Sequence, residues 1–354
     1  MMRSCRSSGP LAGSLVVALL LAACSGTDRV PSVSPAAVGG EAGQSAAATP
    51  RRDPLDGSVH ADAQPTQAPP SGGTMTRVDA GHRDVPDEDA GRAPGPSAAR
   101  PSAGCGATSA PPSGTYQLDV NGTQRTYIVT LPTRYAAAAP YRLVFAWHGL
   151  GVTAAEVAAP ASAGGAGYFG LLPEAGDGAI FVAAQGLAAD AGLPGWPDTG
   201  GRDVAFARAL LSTLTQRYCV DEARVFSVGM SYGAVMTNRL GCALGDKLRA
   251  IAPMSGAGPV YIETPNPSCT GQVAAWLSHG THDDVMPLSS GERSRDYWRT
   301  RNHCAKETAP ATPSPCVNYS GCDAGFPVTW CAFDGGHERP SFSPHAIWQF
   351  FAGF

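Results

Sequence analysis

Ser231 stands in Gly229-Met230-Ser231-Tyr232-Gly233, a G-x-S-x-G pattern. A serine hydroxyl is a poor nucleophile at neutral pH and needs a base titrating near about pH 7, which histidine supplies. That imidazole needs a carboxylate on its other nitrogen, to hold the tautomer and to stabilise the charged form. Both partners lie downstream. Asp283 and Asp284 occur in His279-Gly280-Thr281-His282-Asp283-Asp284-Val285-Met286-Pro287, and His337 closes Asp334-Gly335-Gly336-His337. The chain order Ser, acid, His is that of a nucleophile elbow on a parallel sheet, and on spacing alone Asp283 and Asp284 are equivalent. A lone Gly-rich turn, and a surface histidine, are the plainer readings of the same residues.

A tetrahedral intermediate needs N–H donors aimed at its oxyanion. One is the N–H of Tyr232, next after the serine. The turn His148-Gly149-Leu150-Gly151 follows an apolar run at 141–147 and resembles the His-Gly turn of esterases. It offers the N–H of Leu150, with His148 itself structural.

These residues need elements that present them. Arg224-Val225-Phe226-Ser227-Val228 reads as a buried strand before the serine, and Ala234-Val235-Met236-Thr237-Asn238-Arg239-Leu240 as a helix after it. The helix N-terminus favours developing negative charge. Residues 273–278 and 328–333 read as strands that end at the acid loop and at the histidine loop, where such a sheet places its site. Residues 115–120 and 124–131 read as a hairpin joined at Asn121-Gly122. Residues 141–147 and 179–184 suit buried parallel strands. Apolar residues at Val204, Ala207, Leu210, Leu211 and Leu214 have helical spacing. Residues 291–302 and 343–351 are further helix candidates. Alternating strands and helices predict a doubly wound, mostly parallel α/β sheet.

Several separated segments then carry a likeness, in order. They are Tyr218-Cys219-Val220-Asp221, Gly229 to Gly233, Asn238-Arg239-Leu240-Gly241-Cys242, His279-Gly280-Thr281-His282-Asp283, residues 321–331, and Gly335-Gly336-His337. From about Cys105 to Phe354 the chain resembles the feruloyl esterases, in the carbohydrate esterase family 1-like group that includes polyhydroxybutyrate depolymerase-like and acetylxylan esterase proteins. The resemblance implies an α/β-hydrolase fold and a Ser231–Asp283–His337 triad, because the His-Gly-Thr-x-Asp loop favours Asp283 over Asp284. It implies no cofactor. It also implies a serine esterase of feruloyl or related hydroxycinnamoyl groups on plant cell-wall polysaccharide. Asp284 and Glu338-Arg339-Pro340 depart from the commonest family pattern. Depolymerisation of polyhydroxybutyrate and acetylxylan deacetylation are the alternatives within the family. A non-catalytic polysaccharide-binding lipoprotein is the alternative outside it. An aromatic acyl group needs a flat apolar slot, for which Tyr232, Trp196 and Phe342 are candidates, with core or loop packing the competing role for Trp196.

The amino terminus sets the compartment. Arg3 and Arg6 precede a short apolar run at 11–23 that reads as a signal-peptide core, within residues 1–23. It ends Leu21-Ala22-Ala23-Cys24, which resembles a bacterial lipobox and makes Cys24 a lipidation site. Export follows, with the domain held at the outer membrane or cell surface, or released, and touching membrane only through lipid. Residues 24–104 are rich in Ala, Pro, Gly and Ser and read as a disordered tether. Residues 105–354 form one hydrolase domain. The formal net charge of −4 argues against a nucleic-acid partner. Cys105, Cys219, Cys242, Cys269, Cys304, Cys316, Cys322 and Cys331 are an even set suited to disulfides in an oxidising compartment. One pair is expected to be Cys219–Cys242. With no C-x-x-C, and with Asp283 explained by the acid loop, no metal is expected at His279, His282 and Asp283.

Overall fold

A computed structural model describes residues 98–259 and 269–354. The expected signal peptide, the Cys24 anchor and nearly all of the tether lie outside the described residues.

Strands β1 (Gly114–Val120) and β2 (Thr123–Thr130) form the expected hairpin. Its turn residues Asn121 and Gly122 both have positive φ, which a two-residue turn of this twist requires. After β3 (Tyr141–Trp147) come the short helices α1 (Ala154–Ala158) and α2 (Leu171–Ala175), then β4 (Ala179–Ala184). The small pair β5 (Leu187–Ala188) and β6 (Pro194–Gly195) leads into α3 (Arg202–Arg217). The central run is β7 (Val220–Met230), α4 (Tyr232–Ala243), β8 (Ala250–Met254) and β9 (Ala274–Gly280). The chain closes with α5 (Leu288–Arg301), β10 (Thr308–Pro310), β11 (Cys316–Tyr319), β12 (Val328–Phe333) and α6 (Ser343–Ala352).

The ten-stranded sheet has the order β1-β2-β4-β3-β7-β8-β9-β12-β11-β10. Its middle, β4-β3-β7-β8-β9-β12, is parallel, and both edges are antiparallel. Parallel strands need both faces covered, which is why β3, β4 and β9 read as apolar runs without alternation. On one face Leu143, Trp147 and Val225 pack with Leu210 of α3, Leu240 of α4 and Trp298 of α5. On the other, Val144, Phe181 and Phe226 pack with Val157 of α1, Leu171 of α2 and Phe351 of α6. This is the doubly wound architecture that the element order predicts, and it puts the C-terminal ends of β3, β7, β9 and β12 along one rim.

Three expectations need correction. Helix α5 starts at Leu288, three residues before the expected Gly291, because Pro287 ends the acid loop and the chain turns helical at once. Strand β7 begins at Val220 rather than Arg224, with a register shift against β3 between Tyr141 and Leu143. The disulfides are Cys105–Cys219, Cys242–Cys269, Cys304–Cys322 and Cys316–Cys331, so the expected Cys219–Cys242 bridge is absent. The segment before β1 takes Cys219 instead. Ser102 N–H donates to the Val220 carbonyl at 2.8 Å and Gly104 N–H to the Thr215 carbonyl at 2.8 Å, which lays Cys105 on Cys219. Thr270 N–H donates to the Cys242 carbonyl at 2.8 Å and brings Cys269 to the end of α4.

Candidate active site

Ser231 sits between the last residue of β7 and the first of α4 with φ 57° and ψ −123°. A non-glycine residue reaches that region only when its surroundings over-determine it. Three contacts do so here. Ser231 N–H donates to the Met254 carbonyl at the end of β8 (3.0 Å), and Ala234 and Val235 N–H donate to the Ser231 carbonyl (2.9 and 3.1 Å). Gly233 presses α4 onto β3, where a Cβ would lie 1.8 Å from the Trp147 carbonyl oxygen. Only glycine permits that approach.

Asp283 and His337 are brought together, although 54 residues separate them. Strand β9 ends at Gly280, where a Cβ would lie 2.2 Å from the Gly336 carbonyl oxygen. Thr281 N–H donates to the Phe333 carbonyl and His282 N–H to the Gly335 carbonyl, each at 2.9 Å. The two loops are thus stapled side by side, and His337 Nδ1 lies 2.8 Å from Asp283 Oδ2. A carboxylate only accepts, so this Nδ1 carries the proton and Nε2 is left as the basic nitrogen. The other carboxylate oxygen, Oδ1, accepts the N–H groups of Val285 (3.0 Å) and Met286 (2.7 Å). Burial opposes the charge on Asp283, but the Met286 N–H, His337 and the Val285 N–H outweigh it and hold the carboxyl below its ordinary range. Asp284 is exposed. The histidine loop is also fastened towards the elbow. Ser255, next after the residue that holds Ser231 N–H, donates its hydroxyl to the Glu338 carbonyl at 3.0 Å.

The His148 turn comes to the serine as expected: a Cβ at Gly149 would lie 3.6 Å from Ser231 Cβ. His148 is fully buried and both ring nitrogens are engaged, Nδ1 with the Gly149 carbonyl (2.7 Å) and Nε2 with the Gly186 N–H (2.8 Å). It is a brace for the turn. Trp196 is a second brace, which is the packing role of its two expected readings and not the binding wall. Its ring is fully buried, stands edge-on to Trp147 at 5.0 Å, and donates Nε1–H to the His148 carbonyl at 2.8 Å. A tryptophan in a Gly/Pro loop finds its partner below the surface, because burying the indole is favourable once its N–H is satisfied. Phe342, the N-cap residue of α6, is half-buried and packs edge-on to Trp276 and Phe333, centroids 6.5 and 6.4 Å away.

Two supports have roles that the sequence reading did not assign. The loop that holds Trp196 is tied down by a buried charge network. Arg125 meets Asp203 at 2.7 Å, Arg239 meets Asp198 at 3.0 Å, and Asp198 caps α3 through the N–H groups of Asp203 and Val204. The other is His279, fully buried behind Asp283, with Nε2 2.6 Å from the Met286 carbonyl and 3.3 Å from Asp283 Oδ2. His282 turns away to the surface and meets Asp334 at 3.1 Å.

Burial lowers the pKa of both His148 and His279, so each stays neutral in the folded protein. The unfolded chain takes up these protons below about pH 6.5 while the folded state refuses them, so stability falls as pH drops through that range. Asp283, with its lowered carboxyl, adds a loss of the same sign at more acidic pH. The melting temperature should therefore fall steadily from about pH 7.5 to about pH 5. A flat or rising profile in scanning calorimetry would contradict this account of the two buried imidazoles.

Comparison with known proteins shows the family and the fold. Residues 207–318 match the phospholipase/carboxylesterase family, a stretch that contains Ser231 and Asp283. The chain is 34% identical over 282 residues to feruloyl esterase D of Neurospora crassa, covering 74% of this chain and 93% of that protein. It is 33% identical over 264 residues to feruloyl esterase C of Emericella nidulans, covering 71% and 90%. The structure of an acetyl xylan esterase from Aspergillus awamori superposes with a TM-score of 0.52 at 17% identity, over 67% of this chain and 99% of that one, a likeness of fold. The chain belongs to the feruloyl esterase family, as a serine carboxylic ester hydrolase on the α/β-hydrolase fold.

Proposed function

We propose that Ser231, His337 and Asp283 are nucleophile, base and orienting acid, and that the ester cleaved is a feruloyl or related hydroxycinnamoyl ester of plant cell-wall polysaccharide. The observation that carries the reading is the 2.8 Å contact of His337 Nδ1 with Asp283 Oδ2, which leaves Nε2 basic, in a chain whose serine is held at a strained strand-to-helix turn. Ser231 attacks the ester carbonyl while His337 Nε2 takes its proton. The N–H groups of Tyr232 and Leu150 hold the oxyanion, supported by the packing of the Gly149 turn against the serine. His337 returns the proton to the leaving alcohol. Water then repeats the sequence on the acyl-enzyme and releases the acid.

The substrate class draws on the names of the relatives and on an apolar cluster beside the nucleophile. Tyr232 and Met286 pack with buried Val235 and Ala257, which gives an aromatic acyl group a surface that Trp196 does not offer. Export is supported by the four disulfides, and a lipid anchor by Leu21-Ala22-Ala23-Cys24.

A fluorophosphonate probe followed by peptide mapping tests the nucleophile: the adduct should sit on Ser231. An unlabelled protein would point to a polysaccharide-binding role and sink the enzymatic reading. On the same protein, kcat/KM for methyl ferulate should exceed that for an aryl acetate and for a 3-hydroxybutyrate oligomer by about tenfold or more. The reverse preference would keep the mechanism and move the substrate to acetylxylan or polyester.

A further inference from the structure

His279 lies outside the three-residue mechanism, yet it touches the acid more closely than any other side chain except His337. Asp283 Oδ2 lies between two imidazoles, His337 Nδ1 at 2.8 Å and His279 Nε2 at 3.3 Å. The Met286 carbonyl, 2.6 Å from His279 Nε2, can only accept, so Nε2 carries the proton of this ring. Nδ1 is buried and has no hydrogen-bond partner among the described residues, so a second proton would be an N–H with none of them to receive it. The ring is wedged by α5, where a Cβ on Gly291 would lie 2.4 Å from His279 Nδ1. The titratable groups that face it are Asp283 and His337 on the loop side and Glu292 on α5.

We infer that His279 is a positioning residue that acts through Asp283. It is a neutral donor that locks the 283–286 turn and fixes the carboxylate at the distance His337 needs. The geometry is specific. The Met286 N–H holds Asp283 Oδ1 while the Met286 carbonyl holds His279, so one peptide-linked residue ties the acid to the buried ring. Without this donor the Met286 carbonyl loses its partner and the turn loosens. The carboxylate then drifts from His337, and the imidazolium formed during attack loses part of its counter-charge.

This inference rests on the triad reading, and its test separates the two. His279→Leu should lower kcat about 10- to 100-fold with KM within about threefold, as for loss of an interaction made chiefly in the transition state. It should also move the acid limb of the kcat/KM profile to lower pH, because a weaker carboxylate contact makes His337 easier to deprotonate. His279→Gln, which reaches Met286 with an amide N–H, should restore most of both. Gly291→Ala displaces the ring without removing a polar group, and should reproduce the kcat loss and the shifted limb if His279→Leu does not fold. An unchanged acid limb in folded His279→Leu or in Gly291→Ala overturns the proposal. Activity retained by Ser231→Ala in the same series would instead overturn the triad.

Discussion

Ser231→Ala is expected to lower kcat by about 10⁴-fold or more on any ester this protein cleaves, with the fold and the melting temperature intact. The geometry of the elbow explains why the loss should be so clean. Alanine keeps the Cβ and therefore the backbone strain of φ 57°, ψ −123°, and none of the elbow contacts described above involves the hydroxyl. Ser231→Gly sharpens the test. Glycine occupies this region without the Cβ penalty, which amounts to about 1–3 kcal/mol at such positions, partly offset by the extra freedom glycine has when unfolded. It should be as inactive as the alanine variant and more stable by about 1 kcal/mol. Activity in either variant above about 1% of the parent would remove Ser231 from the mechanism, and a Ser231→Gly protein that melts lower would deny the strain.

The elbow was readable because its requirements are local. A buried strand, a serine between glycines and a helix start leave marks within about a dozen residues, and the two downstream loops follow strands of mostly apolar composition. What escaped the sequence depends on contacts that cross it. Strand β8 carries Pro253, and a proline argues against a central strand. The fold accommodates it where the β8–β9 register skips from Ile251 to Met254. Strands β10 and β11 are short pieces at one edge with Pro310 and few apolar residues; the Cys316–Cys331 bridge and pairing with β12 define β11, and pairing with β11 defines β10. The Cys105–Cys219 bridge was out of reach because nothing near Cys105 in the sequence shows that residues 102–104 run beside the start of β7. The choice between packing and a binding wall stayed open for Trp196 for the same reason. Its loop composition suggests exposure, while its indole N–H meets a carbonyl 48 residues away. The choice between Asp283 and Asp284 was even on spacing; the resemblance of the 279–283 loop favoured Asp283, and the structure sets the Asp283 carboxylate against His337 and leaves Asp284 exposed.

Asp283→Asn should cost about 10⁴-fold in kcat, with little change in KM, and Asp284→Asn should stay within about twofold of the parent. The first effect comes from the way the carboxylate divides its two oxygens. Oδ1 accepts two backbone N–H groups, from Val285 and Met286, so an asparagine must leave its carbonyl oxygen there. Its NH₂ then occupies the place of Oδ2 and faces two rings. His337 Nδ1 can meet that NH₂ only as an acceptor, which moves the ring proton to Nε2. A histidine protonated at Nε2 has no lone pair with which to take the serine proton, so the site keeps its shape and loses its base. On the other side His279 Nε2–H, held by the Met286 carbonyl, meets the same NH₂ donor to donor, which adds a modest loss of stability. The combination is diagnostic: a large fall in kcat, a nearly unchanged KM and a slightly lowered melting temperature. Unfolding of the 280–287 loop, beyond a shift of the carboxylate, would raise KM as well. Full activity in Asp283→Asn together with a collapse in Asp284→Asn would transfer the acid role to the exposed carboxylate and would require the 280–287 loop to refold around the substrate.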